Sequence, residues 1–399
     1  MVGAFRLVYH FPPGWKLTTR GDAFLAASLI PAMATGEDLE VAPEAPVSPR
    51  LLEGIARIQD ILHIWNPELK KVRIRATLAP DRNSSQQVAS FFSGGVDSGY
   101  TYLRHAHEIT QMVLVHGMDI PLQNEQLFEQ VWKHASSAVQ SFGKRCVTVR
   151  CNVQEFGGAM GVTWALLHGA ALASVALLLG CRRIFVPSTS RCDHLHPWGS
   201  HLLLDHNWST EACEIVHDGI EASRVDKLKR IVGLPVLLES LRVCNSGATY
   251  NCGRCGKCIR TMTALRLLGA STPTLPPLAS LAPLKNLRVN NENEFQYFNE
   301  NYSLAIERGD RPVAQALRKC IRRYAIRKLA KEFDAIALEG FLRRIYRRVR
   351  PPVRGRRIVS TEPDAVAPFG PPPRVVREAI DSEHQQRPGT PLRPSRSAG

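Results

Sequence analysis

Several things are missing from this chain, and each omission removes a class of protein. The N-terminus, MVGAFRLVYHF, has neither the basic start nor the apolar core of a signal peptide. Ten cysteines without a secretion signal do not read as a disulfide framework, so a reducing, cytoplasmic setting is expected. No internal repeat is visible, and a repeat architecture is not expected. Nor is a membrane span. Residues 161–180, GVTWALLHGAALASVALLLG, have about the ~20-residue length of one. However, His168 lies near the middle, Ala and Gly are frequent, and Arg182-Arg183 and the apolar run IFV follow at once. The stretch reads as a buried helix, a turn and a buried strand.

Acidic residues are scarce in one section only. Between Arg311 and Arg357, 16 Lys and Arg stand against three acids (Glu332, Asp334 and Glu339), an excess of 13 out of the chain's net +15. The rest is close to neutral. This section suits a nucleic acid, an acidic protein partner or an anionic surface. It contains no Trp, which makes amphipathic membrane attachment the poorest fit. Its apolar residues fall at helical spacing, with Leu317, Ile321, Tyr324 and Leu329 along one side and Phe341, Leu342 and Ile345 on a second segment. A solvated basic face is the plain explanation of the same pattern.

What is present is ordinary globular composition, 44% apolar and 22% charged, over 399 residues. Such a chain can bury a substantial core in two or three domains. Residues 1–85 read as a small α+β unit: FRLVYHF as a strand, a helix from Ser48 to Ile64 with Ser48 as cap and Pro49 at its first position, and VRIRATL as a strand. From 86 to 270 strands and helices alternate: VASFFS, a helix after Asp97, MVLVHG, a helix over 124–142, RCVTVRCN, the apolar helix from Gly161, then RRIFVPS. This rhythm predicts an α/β fold, a parallel sheet with helices on both faces, whose ligands bind beyond the carboxyl ends of the strands. Residues 271–350 hold a Pro-rich connector and the basic helical section, from about Glu294 to Val349. Residues 351–399, rich in Pro, Arg, Ser and Gly, read as a disordered tail.

Two motifs carry chemistry. The first is Ser93-Gly94-Gly95-Val96-Asp97-Ser98, directly after the VASFF strand and opening a helix. Adjacent glycines let the backbone turn sharply and bring amide hydrogens up to an anion. Those amides and the helix N-terminus make a concavity suited to phosphate, with Ser93 and Ser98 as hydroxyl donors. Asp97 would repel a phosphate and fits a metal-side or loop-organising role. The loop has no Walker lysine and is not a GxGxxG turn. The second motif is Cys244-x7-Cys252-x2-Cys255-x2-Cys258. Four thiolates at this spacing can close round a tetrahedral Zn²⁺ as a structural knuckle, with Gly253 and Gly256 allowing the turns. An iron–sulfur cluster could use similar ligands.

SGGVDS behind a buried strand resembles the signature of the PP-loop ATP-pyrophosphatases. The resemblance implies cleavage of ATP between the α and β phosphates. Ser93, Gly94, Gly95, Val96, Asp97 and Ser98 would hold the leaving pyrophosphate with Mg²⁺ while a substrate oxygen attacks the α-phosphorus. Asp97 and Ser98 are then catalytic candidates. The loop followed by C-x7-C-x2-C-x2-C looks like the 7-cyano-7-deazaguanine synthases, which turn a carboxyl-deazaguanine into a nitrile with ATP and ammonia. The similarity runs from about Ser90 to Leu268 and includes the arginine after the cysteines, here Arg260. In the family's final lysine motif the matching place is held by Arg224, in SRVDKLKRI, a third catalytic candidate. Two segments depart. His116-Gly117-Met118-Asp119-Ile120 stands where the synthases have FDYGQ, and Gly161-Val162-Thr163-Trp164 where they have an Arg-Asn pair. Residues 1–85 and the last 115 or so have no counterpart. Proteins resembling this synthase also occur in antiphage and biosynthetic gene clusters, so the substrate is expected to be a small molecule or a macromolecule. A homodimer is compatible with this reading.

Residues 187–219 follow the fourth strand of the alternation and hold His194, His196, His201, His206 and His217 with Asp193, Asp205 and Asp218. A loop beyond a parallel strand is where substrates bind. Trp198, Ser200 and Asp205 are the candidate substrate contacts here, with Asp119 from the earlier strand. Arg191 and Arg224 could meet ATP phosphates or a substrate carboxylate. The histidine spacings fit no ordinary metal pattern, and hydrogen-bonded structural histidines are their plain explanation. Two other functions share these motifs: a PP-loop enzyme that modifies tRNA, which the basic section favours, and an ATP-binding scaffold without catalysis.

Overall fold

The computed structural model describes residues 5–244 and 249–337, with side chains through Asp334. The expected tail at 351–399, the Phe341, Leu342 and Ile345 segment and the arginine-rich end of the basic section lie outside the described residues.

The N-terminal section contains β1 (Tyr9–His10), α1 (Asp22–Thr35), β2 (Leu39–Glu40), α2 (Pro49–Trp65) and β3 (Ile74–Arg75). Helix α2 starts where its sequence says: Ser48 Oγ accepts the Leu51 N–H at 3.0 Å, and Pro49, with no N–H to satisfy, takes the first position. The alternating section then runs β4 (Val88–Phe91), α3 (Val96–His105), β5 (Gln111–His116), α4 (Glu125–Ser141), β6 (Arg145–Cys151), α5 (Val153–Ala159), α6 (Trp164–Leu179), β7 (Arg183–Pro187) and β8 (Glu214–Asp218). Helices α7 (Arg224–Ile231), α8 (Pro235–Glu239), α9 (Gly256–Leu267), α10 (Ala282–Asn286), α11 (Glu292–Glu307) and α12 (Arg311–Ala337) complete the chain.

Six strands form one sheet in the order β1-β6-β5-β4-β7-β8, parallel throughout except for β1 at one edge. Residues alternate between its faces, as the two-residue period of a strand requires. Ala89, Phe91, Val113 and Ile184 join a core with α1, α2 and α6. Val88, Met112, Leu114 and Phe185 join the opposite core with α3, α4, α7, α9, α11 and α12. The architecture is therefore α/β with helices on both faces. β8 is a strand that the sequence reading placed inside a loop: only Ile215, Val216 and His217 stand between its charged ends, too short a run to register as a period.

The N-terminal section is built onto this sheet. β1 pairs with β6 through Tyr9 and Cys151, α1 packs on α6, and the Tyr9 hydroxyl donates to Ser174 Oγ at 2.7 Å. That bond places a polar pair halfway along the apolar helix α6. No helix among the described residues is long and apolar enough to cross a membrane.

On the other face, α11 and α12 bury Phe298, Leu304, Val313 and Leu317 against the second core. The stripe read along α12 is only partly buried. Leu317 is in the core and Ile321 and Tyr324 lie at its edge, but Leu329 is 65% exposed because the helix runs on past the core.

The strand order fixes where a ligand can sit. From β4 the chain builds outward through β5 and β6, then returns to the other side of β4 with β7 and β8. The connections leaving β4 and β7 therefore diverge and open a crevice at the carboxyl edge of the sheet.

Candidate active site: a cationic phosphate loop facing a histidine wall

Ser93 to Ser98 occupy this crevice. Gly94 adopts φ +72°, and a Cβ there would stand 2.6 Å from the Ser240 carbonyl oxygen, so only glycine fits. The Arg242 N–H donates to the Gly94 carbonyl at 2.9 Å and ties the loop to the segment leading into the cysteines. Gly95 caps α3 without any side-chain acceptor for the first N–H groups of the helix, the condition in which a helix N-terminus takes an anion. Ser98 Oγ donates to the Gly95 carbonyl at 3.1 Å.

A cleft of about 530 Å³ opens in front of the loop, within the size of small-molecule sites. Ser93, Gly95, Asp97 and Ser98 border it, as do Asp119, Trp198, Ser200 and Arg224. Two of the expected contacts are not brought there. Arg191 is held by Asp193, two residues along, in a two-pronged ion pair outside the cleft. Asp205 lies behind the cleft wall, 2% exposed, and accepts from Ser200 Oγ (2.6 Å), the His201 N–H (3.2 Å) and His217 Nδ1 (2.7 Å). It supports the wall instead of touching a ligand.

Cations concentrate at the loop. Asp97 pairs with Arg224 through Oδ2, and Lys227 Nζ stands 3.5 Å from Oδ1. Burial alone would raise the Asp97 carboxyl. The Arg224 and Lys227 charges and the Arg224 hydrogen bond outweigh burial, with Arg260 adding to them, and hold it below the usual carboxylate value. Lys227, only 1% exposed, also donates to the Ser188 carbonyl at 2.6 Å, at the end of β7. Sequence reasoning missed Lys227, although a signal existed: it lies three residues after Arg224, on the same face of α7. Arg242 was missed for want of any local signal. It is 6% exposed and borders the cleft, yet its Nε and Nη2 have no hydrogen-bond partner among the described residues. A buried guanidinium in that condition is costly unless an anion completes it. Arg260 borders the same cleft, with its guanidinium 3.9 Å from the centre of the Tyr297 ring on α11. Glu300, one turn further, carries a carboxyl raised by burial against the pull of the Val225 N–H, Arg260 and Arg224.

The opposite wall is built of histidine and aromatic side chains. The β7–β8 connection lies directly on α6 because Gly169 meets Gly199: a Cβ on Gly169 would stand 1.9 Å from the Gly199 carbonyl oxygen. This contact brings His196, Trp198, Ser200 and His201 to the cleft beside Trp164, His168 and His217. Burial lowers the pKa of His168 and His196 and brings His201 down to about 4. For His201 burial is the first cause, and Asp205 opposes it. His194 and His206 lie away from the cleft.

The four cysteines converge. Their sulfurs all lie within 4.8 Å of one another, with Cys244–Cys255 and Cys252–Cys258 at 3.9 Å. Four sulfurs at about 2.3 Å from one zinc ion stand roughly 3.8 Å apart, so the set fits a tetrahedral metal. The Cys252 and Cys255 sulfurs already accept the N–H groups of Cys255 and Cys258. The hydrogen bond with Cys258 holds the Cys255 thiol below its usual value, against burial, while the Cys252 and Cys258 thiols are raised. Asn251 clamps the knuckle, accepting from the Val243 and Cys244 N–H groups and donating to Leu241 and Thr274 carbonyls. No other group of three or more metal-capable side chains converges among the described residues, the histidines of 194–217 included.

What the arrangement can do chemically is hold a polyanion on the loop and its cations while a neutral, partly aromatic group sits against the histidine wall. Compared with protein-family models, curated proteins and solved structures, the chain finds no match in any of the three.

Proposed function

We propose that the protein is an ATP-pyrophosphatase of the PP-loop kind that adenylates a carboxylate or carbonyl-like oxygen and lets a nitrogen nucleophile displace AMP. One observation carries the reading: the SGGVDS loop lies at the point where the strand order reverses and faces the buried, incompletely bonded guanidinium of Arg242. Arg224, Lys227, Arg242 and Arg260 would hold the phosphates of ATP, with the N-terminus of α3 beneath them. These groups favour pyrophosphate as the leaving group because its charge grows as the bond to the α-phosphorus breaks. Mg²⁺ binds through one or two carboxylates plus phosphate oxygens. Asp97 would be the loop's carboxylate for that role. The four cysteines suit zinc in a closed, structural site.

The resemblance to 7-cyano-7-deazaguanine synthases suggests carboxyl-deazaguanine and ammonia as the first substrates to try. A second reading, ATP binding without turnover, is favoured by the double engagement of Asp97 with Arg224 and Lys227. The two separate in one experiment, in which MgATP binding is measured by calorimetry and products by chromatography, with and without carboxyl-deazaguanine and ammonium. AMP and pyrophosphate that depend on the acid support adenylation. Tight binding with no AMP supports the scaffold.

A further inference from the structure

Four histidines border the cleft, and their hydrogen bonds divide them by tautomer. His168 Nε2 accepts the Ser200 N–H at 3.2 Å, so its proton sits on Nδ1, 3.2 Å from the Trp164 carbonyl. Both nitrogens are spent. His201 Nδ1 accepts the Leu203 N–H at 3.0 Å, which leaves its proton on Nε2 as a donor, and among the described residues no carboxylate hydrogen-bonds its ring. His196 sets Nε2 against the Asn293 amide at 3.1 Å, and its Nδ1 is buried. His217 differs from all three. Its Nδ1 donates to Asp205 Oδ2 at 2.7 Å, so the lone pair is on Nε2, which has no partner among the described residues. The carboxylate behind it is itself fixed by Ser200 Oγ and the His201 N–H and is almost completely buried. An imidazole oriented by a buried carboxylate, with the other nitrogen toward a cleft, is the arrangement of a general base.

We propose that His217 is the base of the transfer step, positioned by Asp205, an inference that rests on the adenylation reading above. The lone pair of the nitrogen nucleophile forms the new bond to the activated carbon. The bond from that carbon to the AMP oxygen breaks and its electron pair leaves with AMP. The proton shed by the nitrogen goes to His217 Nε2, where Asp205 stabilises the imidazolium. The placement agrees with the sheet: His217 is the penultimate residue of β8, at the carboxyl edge and on the histidine wall, across the cleft from the cationic loop that takes the pyrophosphate. The two half-reactions thus fall to different walls.

That division gives the test. The full-length protein is supplied with MgATP, carboxyl-deazaguanine and ammonium, and two rates are followed: exchange of labelled pyrophosphate into ATP, and AMP release coupled to product. His217→Asn is expected to lower transfer by about 10²-fold or more, with exchange falling far less. Asp205→Asn, which leaves His217 in place but removes the charge that sets its tautomer, is expected to lower transfer by a smaller factor, and Asp205→Glu to recover part of that loss. Exchange and transfer falling in parallel in both variants, or neither falling, overturns the base role. Wild-type protein that shows no exchange refutes the underlying adenylation reading, and the base role falls with it.

Discussion

The cysteine knuckle and the histidine wall flank the same cleft and begin from similar material, a stretch dense in side chains that can bind metals. The cysteines lie within 15 residues, with two CxxC spacings that force successive sulfurs round one point, and they close to within 4.8 Å. The histidines come from α6, β8 and the connection between β7 and β8, and each is claimed by its own hydrogen bond. They form a surface, not a cage. Residue type sets what a segment can bind, whereas spacing on one turn or on several elements decides whether it encloses an ion or faces a ligand.

The strongest way to break this comparison is to empty the knuckle. Structural zinc contributes on the order of 10 kcal/mol to small metal-folded units. Here the segment 240–244 is clamped by Asn251 and by the Tyr250 hydroxyl on the Ser240 carbonyl, and it holds Gly94 through the Arg242 N–H. Chelation or Cys255→Ser should therefore lower the melting temperature and release about one zinc per chain by elemental analysis. It should also weaken binding of magnesium pyrophosphate. A zinc-free protein that melts unchanged would show the four cysteines to be plain core thiols.

The histidine wall should respond to acid instead. His201 has a folded pKa of about 4 against 6.5 when unfolded, so it contributes stability that is complete above pH 6.5 and is lost as the pH falls toward 4. The loss amounts to roughly 3 kcal/mol at most. His201→Gln should flatten the stability-against-pH curve in that window, measured by urea unfolding. An unchanged slope would place the acid sensitivity in other groups.

The smallest expected effect sharpens the contrast from the phosphate side. Arg242→Met removes a buried guanidinium with incomplete hydrogen bonding. Melting should hold or rise, while magnesium pyrophosphate binding weakens by about tenfold, the scale of one charge-assisted contact. A variant that binds pyrophosphate as wild type does would remove Arg242 from the site.

Much of this was legible in the sequence, for local reasons. The β4–loop–α3 unit shows itself because Gly-Gly, two serines and an aspartate follow directly on a buried strand. The alternation of strands and helices gave the parallel sheet, and the Ser48-Pro49 cap gave the start of α2. What escaped notice depends on contacts between distant segments. β8 is short and charged at both ends, Arg242 reaches the cleft only because its backbone bonds to Gly94, and Asp205 touches His217 instead of a ligand. Tyr297 and Glu300 lie on α11, which the sequence marked only as part of a C-terminal helical section. Arg191 illustrates the converse: an arginine well placed in sequence was captured by the aspartate two residues away.

Adenylation is defined by which bond of ATP is broken. Phosphorus NMR of the products formed from MgATP, carboxyl-deazaguanine and ammonium answers it directly, for wild-type protein beside an Asp97→Ala, Ser98→Ala double variant. The wild type is expected to give AMP and pyrophosphate, and the variant to lose on the order of 10²–10³-fold, the range seen when preorganised contacts to a developing anion are removed. ADP and phosphate as products, or AMP formation that survives in the double variant, would contradict the adenylation reading.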